Sequence, residues 1–194
     1  MGIDMGMYIK DNHVYAPIMS RDEYFQGTEM LVVSRYALAS EIPYIMKNGI
    51  MRLDISLGNP RLYCDKEYWE KALAEAAQRK DFDEEPNYDT DISPLRECPQ
   101  LDYLCLCGNI VHSEIIKELS LLRSLSIDNT LGKNKVDLSS LQRLRTLFIQ
   151  KPGRNVIGFE QLSTLREVHI WNYTPKCRNL TDLVHLKNLE LLDL

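Results

Sequence analysis

The second half of the sequence repeats the pattern L-x-x-L-x-L at nearly constant intervals. The five copies are LDYLCL (101–106), LRSLSI (122–127), LRTLFI (144–149), LREVHI (165–170) and LELLDL (189–194), and their first residues lie 21 to 24 residues apart. Two weaker copies, TEMLVV (28–33) and IMRLDI (50–55), lie upstream. Alternating apolar residues indicate a short strand in each copy. Because one such unit cannot bury its own apolar face, the copies are expected to stack against one another.

A second apolar pattern, spaced mostly three residues apart, precedes each of the last four copies. Its members are Ile115, Ile116, Leu119 and Leu122; Leu138, Leu141 and Leu144; Phe159, Leu162 and Leu165; and Leu180, Leu183 and Leu186. This spacing predicts a short helical segment before each strand, and residues 37–50 are predicted to form the helical connection between the two weaker copies.

Units of this length and pattern resemble those of the leucine-rich repeat family, clearly over 101–194 and less clearly over 28–57. The resemblance implies an α/β solenoid shaped like a horseshoe, with a parallel sheet on the concave side and short helices on the convex side. The sequence departs from the family after the strands. An asparagine expected three residues after the last leucine is present as Asn109, but Thr130, Pro152 and Tyr173 replace it in later units. Irregular loops are therefore expected there.

The repeats divide the chain into segments of one continuous solenoid domain. These are an N-terminal cap (1–27), the first repeats (28–57), an insertion (58–98) and the main repeats (99–194). Within the cap, a hairpin is expected around Asp11 and Asn12. The cap is predicted to cover the open N-terminal end of the stack, since terminal repeats need a polar outer face.

The insertion separates the two groups of repeats and has two parts. Residues 65–78 are predicted to form a helix that Asp65 caps. Residues 81–91 then carry Asp81, Asp83, Glu84, Glu85, Asp89 and Asp91 without a basic residue. This acidic run is either a solvated loop or a charged surface that steers a basic partner such as a nuclease.

Composition excludes several classes of protein. No apolar run approaches the roughly 18 residues that a membrane span needs, so no membrane partner is predicted. A net charge of −5 argues against binding nucleic acid, which requires clustered Lys and Arg. The first residues lack the basic and apolar regions of a secretion signal. The five irregularly spaced cysteines (Cys64, Cys98, Cys105, Cys107 and Cys177) fit reduced thiols, and a cytoplasmic location is predicted.

The Cys-x-Cys pair at Cys105 and Cys107 raises the question of a metal site with His169. In stacked repeats the strands of Cys105 and His169 lie three steps of about 4.8 Å apart, whereas metal ligands must lie about 2 Å from one ion. No nucleophile-elbow, zinc-hydrolase, P-loop or dinucleotide-binding motif occurs. We therefore expect no metal site, no cofactor and no enzyme; an enzyme would need a site assembled on the concave sheet.

Residues between the strand leucines are predicted to point outward on the concave face. Phe148, His169 and Trp171 should form one aromatic patch there, with Tyr103 further along the sheet. Clustered exposed aromatics are typical of protein-binding hot spots. The alternative is that the insertion or the N-terminal cap covers part of the patch.

Three arginines, Arg123, Arg145 and Arg166, occupy the same position in consecutive units. Like charges on neighbouring strands reduce stability unless acids intervene, and Glu167 and Asp128 are candidates for that role. The row is either a rim where polar residues are tolerated or a basic strip that binds an acidic partner surface.

These patterns predict a non-enzymatic module that binds a partner protein through its concave face. Two roles fit such a module: an immunity or inhibitor protein, or an adaptor or regulatory scaffold. The sequence stops within a repeat at LLDL, so either it is truncated there or another subunit covers the open edge. Self-association through this C-terminal edge is expected in the second case.

Overall fold

The structure is a computed structural model that describes residues 6–55, 60–64, 89–128, 134–150, 155–171 and 180–194. The strands in these residues are β1 (Tyr8–Lys10), β2 (His13–Pro17), β3 (Glu29–Val32), β4 (Arg52–Ile55), β5 (Asp89–Asp91), β6 (Tyr103–Cys107), β7 (Asn109–Val111), β8 (Ser124–Asp128), β9 (Val136–Asp137), β10 (Thr146–Gln150), β11 (Val156–Ile157), β12 (Glu167–Ile170) and β13 (Leu191–Asp193). The described residues also include one α-helix, α1 (Leu38–Lys47). The 3-10 helices are Glu23–Phe25, Pro60–Cys64, Ser93–Glu97, Ser113–Glu118, Phe159–Gln161 and Thr181–Leu183.

Nine strands form one sheet in the order β1-β2-β3-β4-β6-β8-β10-β12-β13. The first two pairings are antiparallel, and every later pairing is parallel. All seven repeated blocks supply neighbouring strands of this sheet, in sequence order. The predicted α/β architecture with a large, mostly parallel sheet is therefore confirmed.

The predicted N-terminal hairpin is also confirmed. β1 and β2 pair antiparallel around Asp11 and Asn12, which have φ values of 49° and 65°. Asp and Asn tolerate this left-handed conformation, which a two-residue hairpin turn requires. Because β2 then pairs with β3, the hairpin extends the sheet at the edge where the repeats begin.

Leucines and related residues of the strands form the core. Leu104, Leu125, Leu147 and Val168 lie in register on four adjacent parallel strands, and all four are buried. Two residues further along each strand, Leu106, Ile127, Ile149 and Ile170 form a second buried row. Burying each such side chain contributes roughly 1.5–3 kcal/mol, so these rows fix which face of the sheet turns inward.

The connection between the two weaker repeats is helical, as the sequence predicted. Leu38, Ile42 and Ile45 of α1 are four and three residues apart, and all three are buried in the core. The helix ends before Gly49, whose φ of 59° suits the left-handed residue that commonly terminates a helix.

One of the predicted helical segments is wrong. Residues 138–144 form successive turns, in which the Leu141 N–H donates to the Leu138 carbonyl and the Leu144 N–H donates to the Leu141 carbonyl. Spacing of three residues buries the leucines just as well in separate turns, so burial did not require a helix. The other three segments contain short 3-10 helices, at Ser113–Glu118, Phe159–Gln161 and Thr181–Leu183.

Two further predictions need correction. Leu180, the first residue of the last predicted apolar pattern, lies before the 3-10 helix Thr181–Leu183 and is 47% exposed, so it does not share the burial of Leu183 and Leu186. The end of the acidic run is a strand, not a loop: β5 pairs with β7, and buried Thr90 donates its hydroxyl to the Cys107 carbonyl at 2.6 Å. The predicted helix at 65–78, acidic residues 81–88 and Cys177 lie outside the described residues.

No α-helix among the described residues has the length and apolar character that crossing a bilayer demands. The described helix α1 has 10 residues.

Candidate functional site

The outer face of the sheet, opposite the buried leucines, carries most of the predicted site residues. Its register pairs Cys105 with Ser126, Ser126 with Phe148, and Phe148 with His169. Asp193 follows beside His169 on β13. Matching positions of successive repeats thus place one outward side chain per strand along a line that crosses the sheet.

Phe148, His169 and Trp171 form a cluster of rings on this face, which we call the aromatic cluster. The Phe148 ring centroid lies 5.8 Å from that of His169 and 5.2 Å from that of Trp171, with an edge-on arrangement at the tryptophan. Trp171 is 46% exposed, whereas the other two are half-buried. Such contacts favour offset and edge-on geometry and are worth about 1 kcal/mol beyond burial. The sequence predicted this proximity correctly.

His169 also approaches a carboxylate. Its Nδ1 atom lies 3.5 Å from Asp193 Oδ2, and the Asp193 side chain is 61% exposed. Such an exposed contact contributes little to stability. It does place a polar group at the rim of the aromatic cluster.

Tyr103 is placed differently from the other predicted aromatics, because the chain's own N-terminal segment packs over it. This segment, residues 18–27, is called the strap. Its Phe25 is fully buried, and the Phe25 ring centroid lies 5.4 Å from that of Tyr103 in an edge-on contact. Burial raises the pKa of the Tyr103 hydroxyl. The alternative in which the cap covers part of the patch therefore holds for Tyr103.

Polar contacts fix the strap as well. The Tyr24 hydroxyl donates to Asp102 Oδ2 at 2.8 Å, and the guanidinium of Arg123 lies 4.2 Å from the Tyr24 ring centroid. Asp102 is buried, and its other oxygen lies 3.4 Å from Arg52 Nε. A guanidinium over an aromatic ring contributes about 1 kcal/mol at partly exposed sites.

The three predicted arginines lie in one row of the structure. The Arg145 N–H donates to the Arg123 carbonyl, and the Arg166 N–H donates to the Arg145 carbonyl, both at 2.8 Å. The same ladder joins Asp102 to Arg123 before the row and Arg166 to Glu190 after it, so an acidic residue lies at each end of the row. The backbone thus holds three like charges directly before three adjacent strands.

The neutralising residues differ from those predicted. Arg166 Nη1 lies 3.5 Å from Glu190 Oε1 in an exposed ion pair, while Glu167 makes no ion pair within the described part of the chain. Arg123 contacts the Tyr24 ring. The side chain of Asp128 lies outside the part of the chain that the structure describes. The prediction missed Glu190 and Tyr24 because each comes from a different unit or segment.

Two adjoining cavities open on this face beside the strap. The arginine cavity, of about 390 Å³, is lined by Arg21, Asp22, Glu23, Tyr24, Arg123, Arg145, Thr146, Arg166, Glu167 and Glu190. The aromatic groove, of about 380 Å³, is lined by Met19, Ser20, Arg21, Tyr103, Ser124, Leu125, Ser126, Thr146, Phe148, Glu167 and His169. Arg21, Thr146 and Glu167 border both, so the two are continuous. Together they can accept an apolar group and an anionic group side by side.

Among the described residues, no cysteine forms a disulfide. These cysteines are Cys64, Cys98, Cys105 and Cys107, and Cys98 is fully buried in the core. Burial raises the pKa of Cys98 to about 11. Burial, with a further contribution from the nearby Asp54 carboxylate, also raises the pKa of Cys105 well above its usual value. Cys105 is therefore a neutral thiol near pH 7 and a poor nucleophile.

In the part of the chain that the structure describes, no three His, Cys, Asp or Glu side chains come together in a way that could hold a metal ion. Cys105 lies on β6 and His169 on β12, with β8 and β10 between them. The predicted separation of these two residues is therefore confirmed.

The sequence allowed the N-terminal cap to cover part of this face but did not indicate which of its residues do so. Met19, Arg21 and Phe25 were not among the predicted site residues. One local signal was available: the sequence RDEYF (21–25) sets two adjacent aromatics after two acids in a segment without repeat character. No protein-family model matches the chain, and comparison with curated proteins finds no similar sequence.

Proposed function

We propose that this chain is a leucine-rich-repeat protein that binds a partner protein through the outer face of its sheet and is not an enzyme. Support for the repeat architecture comes from the seven blocks, which start 21 to 24 residues apart except across the insertion, and whose strands follow one another in a single sheet with their leucines in register. The outer face corresponds to the concave side of such a solenoid. The proposed contact residues are Tyr103, Phe148, His169, Trp171, Arg123, Arg145 and Arg166.

The observation that carries the proposal is the partly exposed aromatic cluster beside the arginine cavity. Phe148 on β10 and Trp171 directly after β12 present apolar rings that already contact each other, so little conformational entropy is lost when a partner covers them. Trp, Tyr and Arg are the residues that most often dominate binding energy at protein interfaces. All three types occur on this face: Tyr24, Tyr103 and the arginines line the two cavities, and Trp171 contacts Phe148 of the aromatic groove.

The first experiment uses the double variant Phe148→Ala, Trp171→Ala. Proteins captured by the wild-type chain from a lysate of its source organism are compared with those captured by the variant. The affinity of a captured and purified protein is then measured by calorimetry. We expect at least about a 100-fold loss of affinity, equivalent to about 2.7 kcal/mol, because both hot-spot side chains are removed.

The matched control is Ile157→Ala. Ile157 is 37% exposed and lies on β11, which pairs with β9 outside the main sheet. This variant should bind like the wild type. An unchanged affinity of the double variant would contradict the proposal. An assay of the captured partner's own activity then separates an inhibitor or immunity protein, which blocks it, from an adaptor or scaffold, which does not.

Self-association through β13 stays a prediction. β13 is the last strand of the sheet, and Leu194 beside it is 46% exposed. An edge strand presents backbone groups that can pair with a second copy. Sedimentation equilibrium over a range of concentrations tests it: a mass that stays monomeric throughout would contradict it.

A further inference from the structure

The strap shows what kind of segment the outer face accepts. Its Phe25 inserts next to Tyr103, and its Tyr24 lies under the guanidinium of Arg123. Directly before these aromatics, Asp22 and Glu23 line the arginine cavity. The chain therefore already places on this face a short segment in which acidic residues adjoin aromatic ones.

Next to the strap, the same combination of surfaces continues without an occupant from the described chain. The aromatic groove offers Phe148, His169 and Tyr103 as walls, and the strap supplies Met19 at its edge, 91% exposed. A methionine side chain adapts its shape readily to apolar ligands. The groove is thus suited to one apolar side chain of a bound segment.

The arginine cavity offers the second contact. Within the described part of the chain, Arg145 makes no ion pair or side-chain hydrogen bond, although it lies between Arg123 and Arg166 in the row. Arg123 is engaged by the Tyr24 ring, and Arg166 by Glu190. A carboxylate from outside would place its charge against Arg145 and reduce the repulsion along the row.

We infer that the partner contributes a short peptide segment in which a carboxylate follows or precedes an apolar side chain by about three residues. The spacing comes from Arg145, directly before β10, and Phe148 on β10, which lie three residues apart. At about 3.3 Å per residue, this separation is about 10 Å along the strand, and an extended peptide covers the same distance in about three residues. The apolar side chain enters the aromatic groove, and the carboxylate binds Arg145. This inference rests on the proposed function, because it specifies the ligand of the same face.

The charges of the cavity favour a peptide over a nucleic acid. Asp22, Glu23 and Glu167 share its walls with the arginines. A nucleic acid strand carries a phosphate at every nucleotide and would meet these acids as well as the arginines. A peptide can present one carboxylate at Arg145 and neutral groups elsewhere.

The test selects binders from a displayed library of random 12-residue peptides against the full chain. An enriched peptide is synthesised with its acidic residue intact and with that residue changed to the amide. Both forms are titrated by fluorescence anisotropy against the wild type, Arg145→Gln and the control Arg143→Gln, which removes the same charge from an exposed residue outside both cavities.

We expect enriched peptides to share an apolar residue and an acid at about the inferred spacing. Arg145→Gln should weaken the acidic form about tenfold and leave the amide form unchanged, while Arg143→Gln affects neither. Phe148→Ala should weaken both forms. Equal effects of Arg145→Gln on the two forms would overturn the inference, because the carboxylate would then bind elsewhere.

Two other results would also overturn it. One is a selection that enriches no peptide, which means that no linear segment fills the groove. The other is saturable binding of a single-stranded oligonucleotide that Arg145→Gln abolishes. The proposed function is judged separately, by the partner affinity of the Phe148→Ala, Trp171→Ala variant, so either idea can fail without the other.

Discussion

The two halves of the outer face are built from the same repeat, but one half is covered by the strap and the other is partly exposed. Over β4 and β6, the strap covers the sheet, and its Phe25 is fully buried against Tyr103. On and just after β10 and β12, Phe148 and Trp171 remain partly exposed at outward positions further along the strands than that of Tyr103. Both halves combine aromatic rings with arginines and carboxylates. The difference is that the first half receives a segment of its own chain, whereas in the described structure the second is open to solvent.

This comparison teaches that similar surface chemistry can serve stability in one place and recognition in another. Where the strap is bound, removing an aromatic side chain creates a cavity and lowers the free energy of unfolding. Where the face is open, the same change removes little buried surface, so it should affect binding instead. Stability measurements can therefore separate the two halves before any partner is known.

The largest expected effect comes from Phe25→Ala compared with Phe148→Ala. Loss of the fully buried Phe25 ring should reduce the free energy of unfolding by about 3 kcal/mol, whereas loss of the half-buried Phe148 ring should cost about 1 kcal/mol. Urea denaturation followed by circular dichroism measures both. Similar losses for the two variants would mean that the strap does not anchor this half of the face.

A second contrast uses the acids at the two ends of the arginine row. Asp102→Asn should cost about 2 kcal/mol, because it leaves Arg52 facing a neutral amide in a mostly buried site and weakens the bond from Tyr24. Glu190→Gln should change stability by about 0.5 kcal/mol or less, because its ion pair with Arg166 is exposed.

The same urea titrations apply to this pair of acids, and high salt provides a control. Added salt should leave the Asp102→Asn difference nearly unchanged, since buried charges are poorly screened. If Glu190→Gln proved the more destabilising change, the assignment of the covered half as the structural one would be wrong.

The smallest expected effect concerns the reactivity of Cys105, two residues along β6 from Tyr103. Because its pKa is raised, the folded Cys105 thiol stays protonated at pH values at which an ordinary cysteine begins to ionise. Iodoacetamide should therefore modify it at pH 8 at least about tenfold more slowly than in the urea-unfolded chain. Mass spectrometry of the peptides measures the rate. Phe25→Ala should increase that rate by releasing the strap. A folded chain that reacts as fast as the unfolded one would show that Cys105 is not shielded.

Most of the sheet could be predicted from the sequence because each strand is specified by the residues of its own repeat. Leucines at alternate positions specify a strand and its inward face, and the matching apolar positions of successive repeats set the register of neighbouring strands. Phe148 and His169 occupy the same position of consecutive units, so their contact could be predicted from the repeat pattern alone. Residues 138–144 were misjudged for the same local reason, since spacing of three residues fits a helix and a series of turns equally well.

The sequence by itself determined the repeated strands, the buried rows of leucine and the line of outward residues that holds the aromatic cluster and the arginines. Only the tertiary structure decided which of those residues stay accessible. Tyr24 and Asp102 are separated by 78 residues, and no periodicity links them. Their contact depends on the strap folding back over the finished sheet, a long-range packing event that local patterns do not encode. That event covers Tyr103, leaves Phe148 and Trp171 partly exposed, and shapes both cavities beside them.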